Sequence, residues 1–176
     1  MTPDTLAYVP FTPDMLDAVR GYNYGDEPHQ QELALWMLND ALPAMTRGTK
    51  VWLYRNQAGD FIGYGSLGTT RWHYPDPTSR KAVLVIVPAV AIRQEFWGKP
   101  DGATDDRYSS QIMRHLLQEA DAWPGEPPAV GLFVHPSNSA AAKLYERFGF
   151  QRFFHSSTDP DTGVVYESFI RPIVRS

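Results

Sequence analysis

A chain of 176 residues with 43% hydrophobic and 20% charged residues is long enough to bury a core and too apolar for disorder. A formal net charge of −4 leaves no basic footprint for nucleic acid, and the lack of cysteine excludes disulfides, a catalytic thiol and cysteine-based metal centres. Residues 1–10 hold no basic segment followed by an apolar run, and the longest apolar stretch, 82–92, is too short to span a bilayer. A cytoplasmic, single-domain protein spanning 1–176 is therefore expected, with neither membrane nor nucleic acid as partner.

Thr12 followed by Pro13 reads as a helix start, and a short helix is expected to about residue 20. A polar, aromatic loop comes next, with Tyr22, Tyr24, Asp26 and Glu27. Leu33, Trp36 and Met37 lie at helical spacing, so a second helix is predicted over 29–42, stopped by Pro43. Residues 50–55 and 61–70 read as a hairpin around Gly59, and residues 72–79 as a loop. Residues 81–92 are rich in valine and isoleucine, which predicts a buried central strand. Pro88 cannot donate a ladder hydrogen bond and predicts a bulge or local splay within it. A loop is expected over 93–107 and a helix over 108–122, with His115 at its surface. A strand over 129–135, a helix over 137–148 stopped by Gly149, and a closing hairpin complete the chain. The order predicts a mixed α/β (α+β) domain with one sheet flanked by helices.

The most informative stretch runs from Leu132 to Phe150. On its helix Asn138, Ala141 and Tyr145 share one face, because they stand three and four residues apart. That polar, small and aromatic surface suits a slender ligand lying close to the backbone. With Asn138, Ala141, Leu144, Tyr145, Glu146, Gly149 and Phe150 in place, the segment resembles the GNAT superfamily of acyl-CoA-dependent N-acyltransferases. The order of elements over nearly the whole chain resembles that family too. The resemblance implies a single mixed, mostly antiparallel sheet with helices on both faces. It implies acetyl-CoA as cosubstrate, with no metal. Tyr145 would be the general acid that protonates the departing CoA thiolate. Asn138 would bond the pantetheine arm or its ordered water, and a splayed strand 81–92 would offer backbone groups of Val90 and Ile92 to its amides. Taken by themselves, Asn138 is a helix cap and Tyr145 a core aromatic.

The chain departs from the family where the pyrophosphate should bind. Trp97 stands where an Arg or Gln is usual, and Pro100, which has no N–H, replaces a glycine. Gly102 keeps its place, and Gly98 and Lys99 match common choices between the fixed positions. A remodelled loop is expected, with Arg107, Ser109 and the start of the next helix assisting. A plain surface loop of solvated charges is the other reading.

No carboxylate lies within 81–92, so the general base is open: His73 is the candidate, with His135 second, while an ordinary surface or capping histidine is the simpler reading of each. Glu95 reads equally as a solvated charge, and a water relay needs no residue. Tyr22, Tyr24, Asp26, Glu27, Trp72, His73 and Tyr74 form an aromatic and acidic set suited to a cationic amine. The five histidines show no close ligand spacing for a metal.

These readings lead to an N-acetyltransferase acting on a primary amine of a small molecule or peptide. The alternative is a non-catalytic acyl-CoA-binding or protein-interaction module on the same fold. A third reading, a toxin that acetylates aminoacyl-tRNA, is opposed by the missing basic stripe. Edge strands of such a sheet suit a homodimer.

Overall fold

Val51, Trp52, Leu53 and Tyr54 are buried in succession, so this short strand must be covered on both faces. The computed structural model, which describes residues 5–99 and 106–175, covers it with helices on both sides. In chain order the elements are strand β1 (Ala7–Pro10), single 3₁₀ turns at Pro13–Met15 and Asp17–Val19, helix α1 (Pro28–Leu35), a π-helical segment (Trp36–Asp40) and helix α2 (Ala41–Thr46). Strands β2 (Lys50–Arg55), β3 (Phe61–His73), β4 (Lys81–Ile86) and β5 (Val90–Ile92) come next, then a 3₁₀ turn (Gln94–Phe96) and helix α3 (Tyr108–Asp121). Strand β6 (Ala129–Val134), helix α4 (Ser139–Arg147) and strands β7 (Gln151–Thr158) and β8 (Val165–Pro172) end the described chain. The ladders run β1-β2-β3-β4-β6-β8-β7, with β5 also on β3. The β4–β6 pairing is parallel and the others are antiparallel, so the sheet is mixed and mostly antiparallel, as expected.

Several boundaries differ from the sequence reading. The expected helix at 13–20 is two 3₁₀ turns; Val19 is buried in the core, and Met15 and Leu16 pack half-buried against it. Pro43 does not end a helix. It is the third residue of α2, whose ladder starts afresh after the π segment, and a first-turn residue needs no N–H partner within its own helix. β1 was not foreseen, because an exposed edge strand carries no hydrophobic alternation. β3 runs on through Trp72 to His73, so Trp72 is strand and core rather than loop, at 4% exposure.

The chain divides into two compact units. The first holds the residues up to Leu67 and those from Ala89 to Leu116. On one side of its strands Val51, Leu53 and Tyr64 pack with Met37, Ala41 and Phe11. On the other side Trp52 and Tyr54 meet His115 of α3. His115 is thus a core residue, 5% exposed, and not the surface histidine expected. Its Nδ1 lies 2.7 Å from Tyr54 Oη, and Tyr8 of β1 stacks on its ring.

The second unit holds Gly68–Pro88 and the residues from Leu117 onward. One face of its strands carries Trp72, Leu84, Ala129 and Ile170. The opposite side chains, Val85, Val130, Leu132 and Phe169, are buried as well. Gly131 lets the Trp72 indole lie against β6, since a Cβ there would stand 2.5 Å from the ring.

Gly63 has the same kind of role in seating β5. A Cβ at Gly63 would stand 2.0 Å from the backbone oxygen of Ala91, which has no soft neighbour to yield. Gly63→Ala is expected to cost at least about 2 kcal/mol in urea unfolding. An unchanged unfolding free energy would show that β5 does not lie this close to β3.

Candidate active site

The segment from Asn138 to Phe150 forms a helix with both ends closed. Asn138 is the N-cap, and its Oδ1 accepts from the Ala141 N–H at 3.1 Å. Gly149, at φ +86°, takes the left-handed conformation that ends the helix, and the Phe150 N–H turns back to the Tyr145 carbonyl at 3.0 Å. The spacing of Asn138 to Ala141 and of Tyr145 to Gly149 and Phe150 is therefore also the spacing of the two caps. Between them Tyr145 is buried, 7% exposed, with its ring edge-on to Phe150 at 5.8 Å. Burial pushes its phenol up to about 12, further above neutral pH than the ordinary value of 10.0, so it stays protonated there. Ser139, Lys143, Glu146 and Arg147 are exposed, as the helical pattern required.

The expected strand 81–92 breaks after Ile86 and resumes at Val90, with Pro88 in the gap. In the first unit the missing ladder contact is replaced by a side chain. Buried Ser66 donates its hydroxyl to the Ala89 carbonyl at 2.6 Å and accepts the Ala89 N–H at 3.0 Å. No feature of the local sequence pointed to Ser66. Beyond it the ladder resumes with Tyr64 opposite Ala91, and the Arg93 N–H donates to the Ile62 carbonyl at 2.8 Å. In an antiparallel ladder successive residues turn their peptide groups to opposite edges. Ala91 and Arg93 face β3, so Val90 and Ile92 turn their N–H and C=O groups to the other edge. The Trp97 indole N–H donates to the Ile92 carbonyl at 2.8 Å, a bond the sequence did not suggest.

Of the residues proposed for phosphate, Gly98 and Lys99 are exposed, and Gly98 has φ +65°. Gly102, with Pro100, Asp101 and Asp105, lies outside the described residues. Arg107 is exposed just before α3, and its carbonyl accepts the N–H groups of Ser110 and Gln111. Ser109 is half-buried in the first turn. Asp106 pairs with Arg114 and Glu95 with Arg93, so each carboxylate has a cation beside it.

The histidines differ in the nitrogen they present. His73 Nδ1 lies 2.5 Å from the Ser79 carbonyl, which can only accept, so Nδ1 carries the proton and Nε2 holds the lone pair. His135 does the reverse: its Nδ1 accepts the Ser137 N–H at 3.1 Å and serves the turn into α4. His155 was not singled out in the sequence. A bulge between Phe153 and Ser156 brings it onto the Trp72 ring, with centroids 4.6 Å apart. Burial first, then His73 and Lys81, lower its pKa.

The aromatic and acidic set falls into two groups. Tyr22, Tyr24, Asp26 and Glu27 belong to the first unit, and Trp72, His73 and Tyr74 to the second. Tyr24 is buried at 3% exposure rather than lining a loop. Glu27 is the N-cap of α1, and its N–H donates to Gln30 Oε1 at 3.1 Å. Asn23 joins the loop to the turn after β5 through Gln94 Oε1 at 2.9 Å. Among the described residues no cluster of three or more His, Asp or Glu is placed to hold a metal, and no helix is long and apolar enough to cross a membrane.

A model of the acetyltransferase (GNAT) family matches residues 12–150, most of the chain. The chain belongs to the GNAT acetyltransferase family. Solved structures of similar fold include a putative GNAT-family acetyltransferase from Bordetella pertussis, with TM-score 0.66 and 18% identity over 97% of this chain and 98% of that one. The spermidine/spermine N-acetyltransferase SpeG from Vibrio cholerae gives 0.60 and 13% over 96% and 92%. A mutant of the toxin AtaT, bound to the C-terminus of its antitoxin AtaR and to acetyl-CoA, gives 0.61 and 13% over 97% and 94%. At these identities the likeness is one of fold. A search of curated protein sequences gave no significant match.

The raised pKa of Tyr145 has a consequence for this GNAT protein. The folded state holds the phenol's proton above the ordinary value of 10.0, so the contribution is complete below pH 10 and is lost as pH rises toward about 12. The stability difference between wild type and Tyr145→Phe is expected to be flat to pH 10 and then to shrink by about 2–3 kcal/mol. Urea unfolding at stepped pH checks this, and a difference already falling at pH 8–9 would contradict it.

Proposed function

We propose that the chain is an N-acetyltransferase that transfers an acetyl, or other acyl, group from acyl-CoA to a primary amine of a small molecule or peptide. The observation that carries the reading is Tyr145: a buried, protonated phenol on the capped helix of the family's motif.

In this reading the amine nitrogen attacks the thioester carbonyl directly. The C–N bond forms, the C–S bond breaks, and the electron pair leaves on sulfur. Tyr145 donates its proton to that thiolate and recovers one from solvent. The amine's proton goes to His73 Nε2, the nitrogen left with a lone pair, or to a water. The outward peptide groups of Val90 and Ile92 pair with the pantetheine amides. The Asn138 Oδ1 is engaged in its cap, so the side-chain NH₂ is the part that reaches the pantetheine. Gly98, Lys99, Gly102, Arg107 and Ser109 meet the phosphates, with positive charge from Lys99 and Arg107. No metal takes part. We place the protein in the cytoplasm and expect a homodimer through a sheet edge.

Calorimetric titration with acetyl-CoA, on wild type and on Tyr145→Phe, tests the proposal when joined to a thiol-release assay with a panel of primary amines. Both proteins are expected to bind, and the variant to turn over roughly 10²-fold more slowly or less. Binding without turnover on any amine would favour the non-catalytic binding module. Absence of binding to acetyl-CoA and to longer acyl-CoAs would sink the acyl-CoA reading altogether.

A further inference from the structure

We infer that Trp97 is a displaceable latch on β5: its indole N–H occupies the Ile92 carbonyl until an amide N–H of an extended ligand takes the same acceptor. The inference rests on the acyl-CoA reading above and adds a regulatory residue to that site.

Three observations lead to it. β5 has two residues, Val90 and Ile92, whose peptide groups face away from β3, so a ligand that pairs with this edge as an added strand would use them. The Ile92 carbonyl is one of these groups, and Trp97 Nε1 already donates to it at 2.8 Å. Trp97 is 41% exposed, whereas Trp52 and Trp72 are buried at 6% and 4%. A tryptophan kept to fill space would bury its ring. This one is only partly covered, so the indole bond is one of the restraints that hold it, and one net hydrogen bond in partial contact with water is weak.

The backbone below the indole is firmly placed. The Gln94 N–H donates to the Asn23 carbonyl at 2.9 Å, and the Phe96 N–H to the Arg93 carbonyl at 2.9 Å. The Arg93 guanidinium donates to the Phe61 carbonyl at 2.9 Å and lies over the Tyr22 ring at 4.2 Å from its centroid. Phe96 packs edge-on to Tyr108 at 5.7 Å. Release of the latch therefore needs a rotation of the Trp97 side chain and not a refolding of the turn.

Trp97→Phe keeps an aromatic ring, though a smaller one, and removes the donor. Free CoA and acetyl-CoA are titrated into wild type and variant by calorimetry. The indole Hε1 resonance of Trp97, identified by its loss in the variant, is tracked in parallel by NMR. The variant is expected to bind about two- to tenfold tighter, the worth of one net hydrogen bond. The Trp97 Hε1 of wild type is expected to exchange with solvent about two- to tenfold more slowly before CoA is added than at saturation. Equal or weaker binding by the variant, or an Hε1 that stays protected at saturation, overturns the latch while leaving the acyl-CoA reading intact. Binding by the variant alone upholds the latch. Binding by neither protein overturns both.

Discussion

The central constraint is a proline in a strand. Pro88 has no N–H to place in a ladder, so the run from Lys81 to Ile92 cannot remain one regular strand. Each unit accommodates the break in its own way. In the second, the Val87 N–H still reaches the Gly131 carbonyl at 3.0 Å, so β4 keeps its parallel pairing with β6 to the end. In the first, Ser66 takes both the N–H and the C=O of Ala89, so the peptide groups of that residue are paired. β5 then resumes in register with β3, close enough that Gly63 must lack a side chain.

That register decides which peptide groups β5 turns away from β3, and so which backbone atoms are in question for a ligand. The same groups define the setting of Trp97. Trp97 carries an indole that reaches back to the strand. The loop with Tyr22, Asn23 and Tyr24 is tied to the intervening turn through Gln94 and Arg93, so the two segments are placed together.

Burial sets the chemistry of the titratable side chains as much as their partners do. Tyr145 holds its proton to higher pH than an exposed tyrosine because the ionised phenolate would be desolvated. His155 loses basicity for the corresponding reason, since there the charged form is the protonated one. A carbonyl partner fixes the tautomer of His73, and a backbone donor that of His135, which separates two histidines that look alike in the sequence.

Much of the fold was legible because it depends on local pattern. The apolar spacing of α3, the Asn138 cap, the Gly149 stop and the Pro88 break are short-range effects of side-chain size, hydrogen-bonding groups and φ. The seven positions from Asn138 to Phe150 that carry the family resemblance are of the same kind. The tertiary structure decided what depends on partners distant in sequence. It made His115 a core residue through Tyr54, and Trp72 a core residue through Gly131. It carried the second helix past Pro43 through a π segment, and it recruited Ser66 to repair the ladder at Ala89. The sequence by itself determined most of the elements, the disturbance at Pro88 and the family. Which buried polar group answers which peptide, and which histidine nitrogen is left to act, was decided only by packing, because each requires a partner whose approach no local pattern encodes.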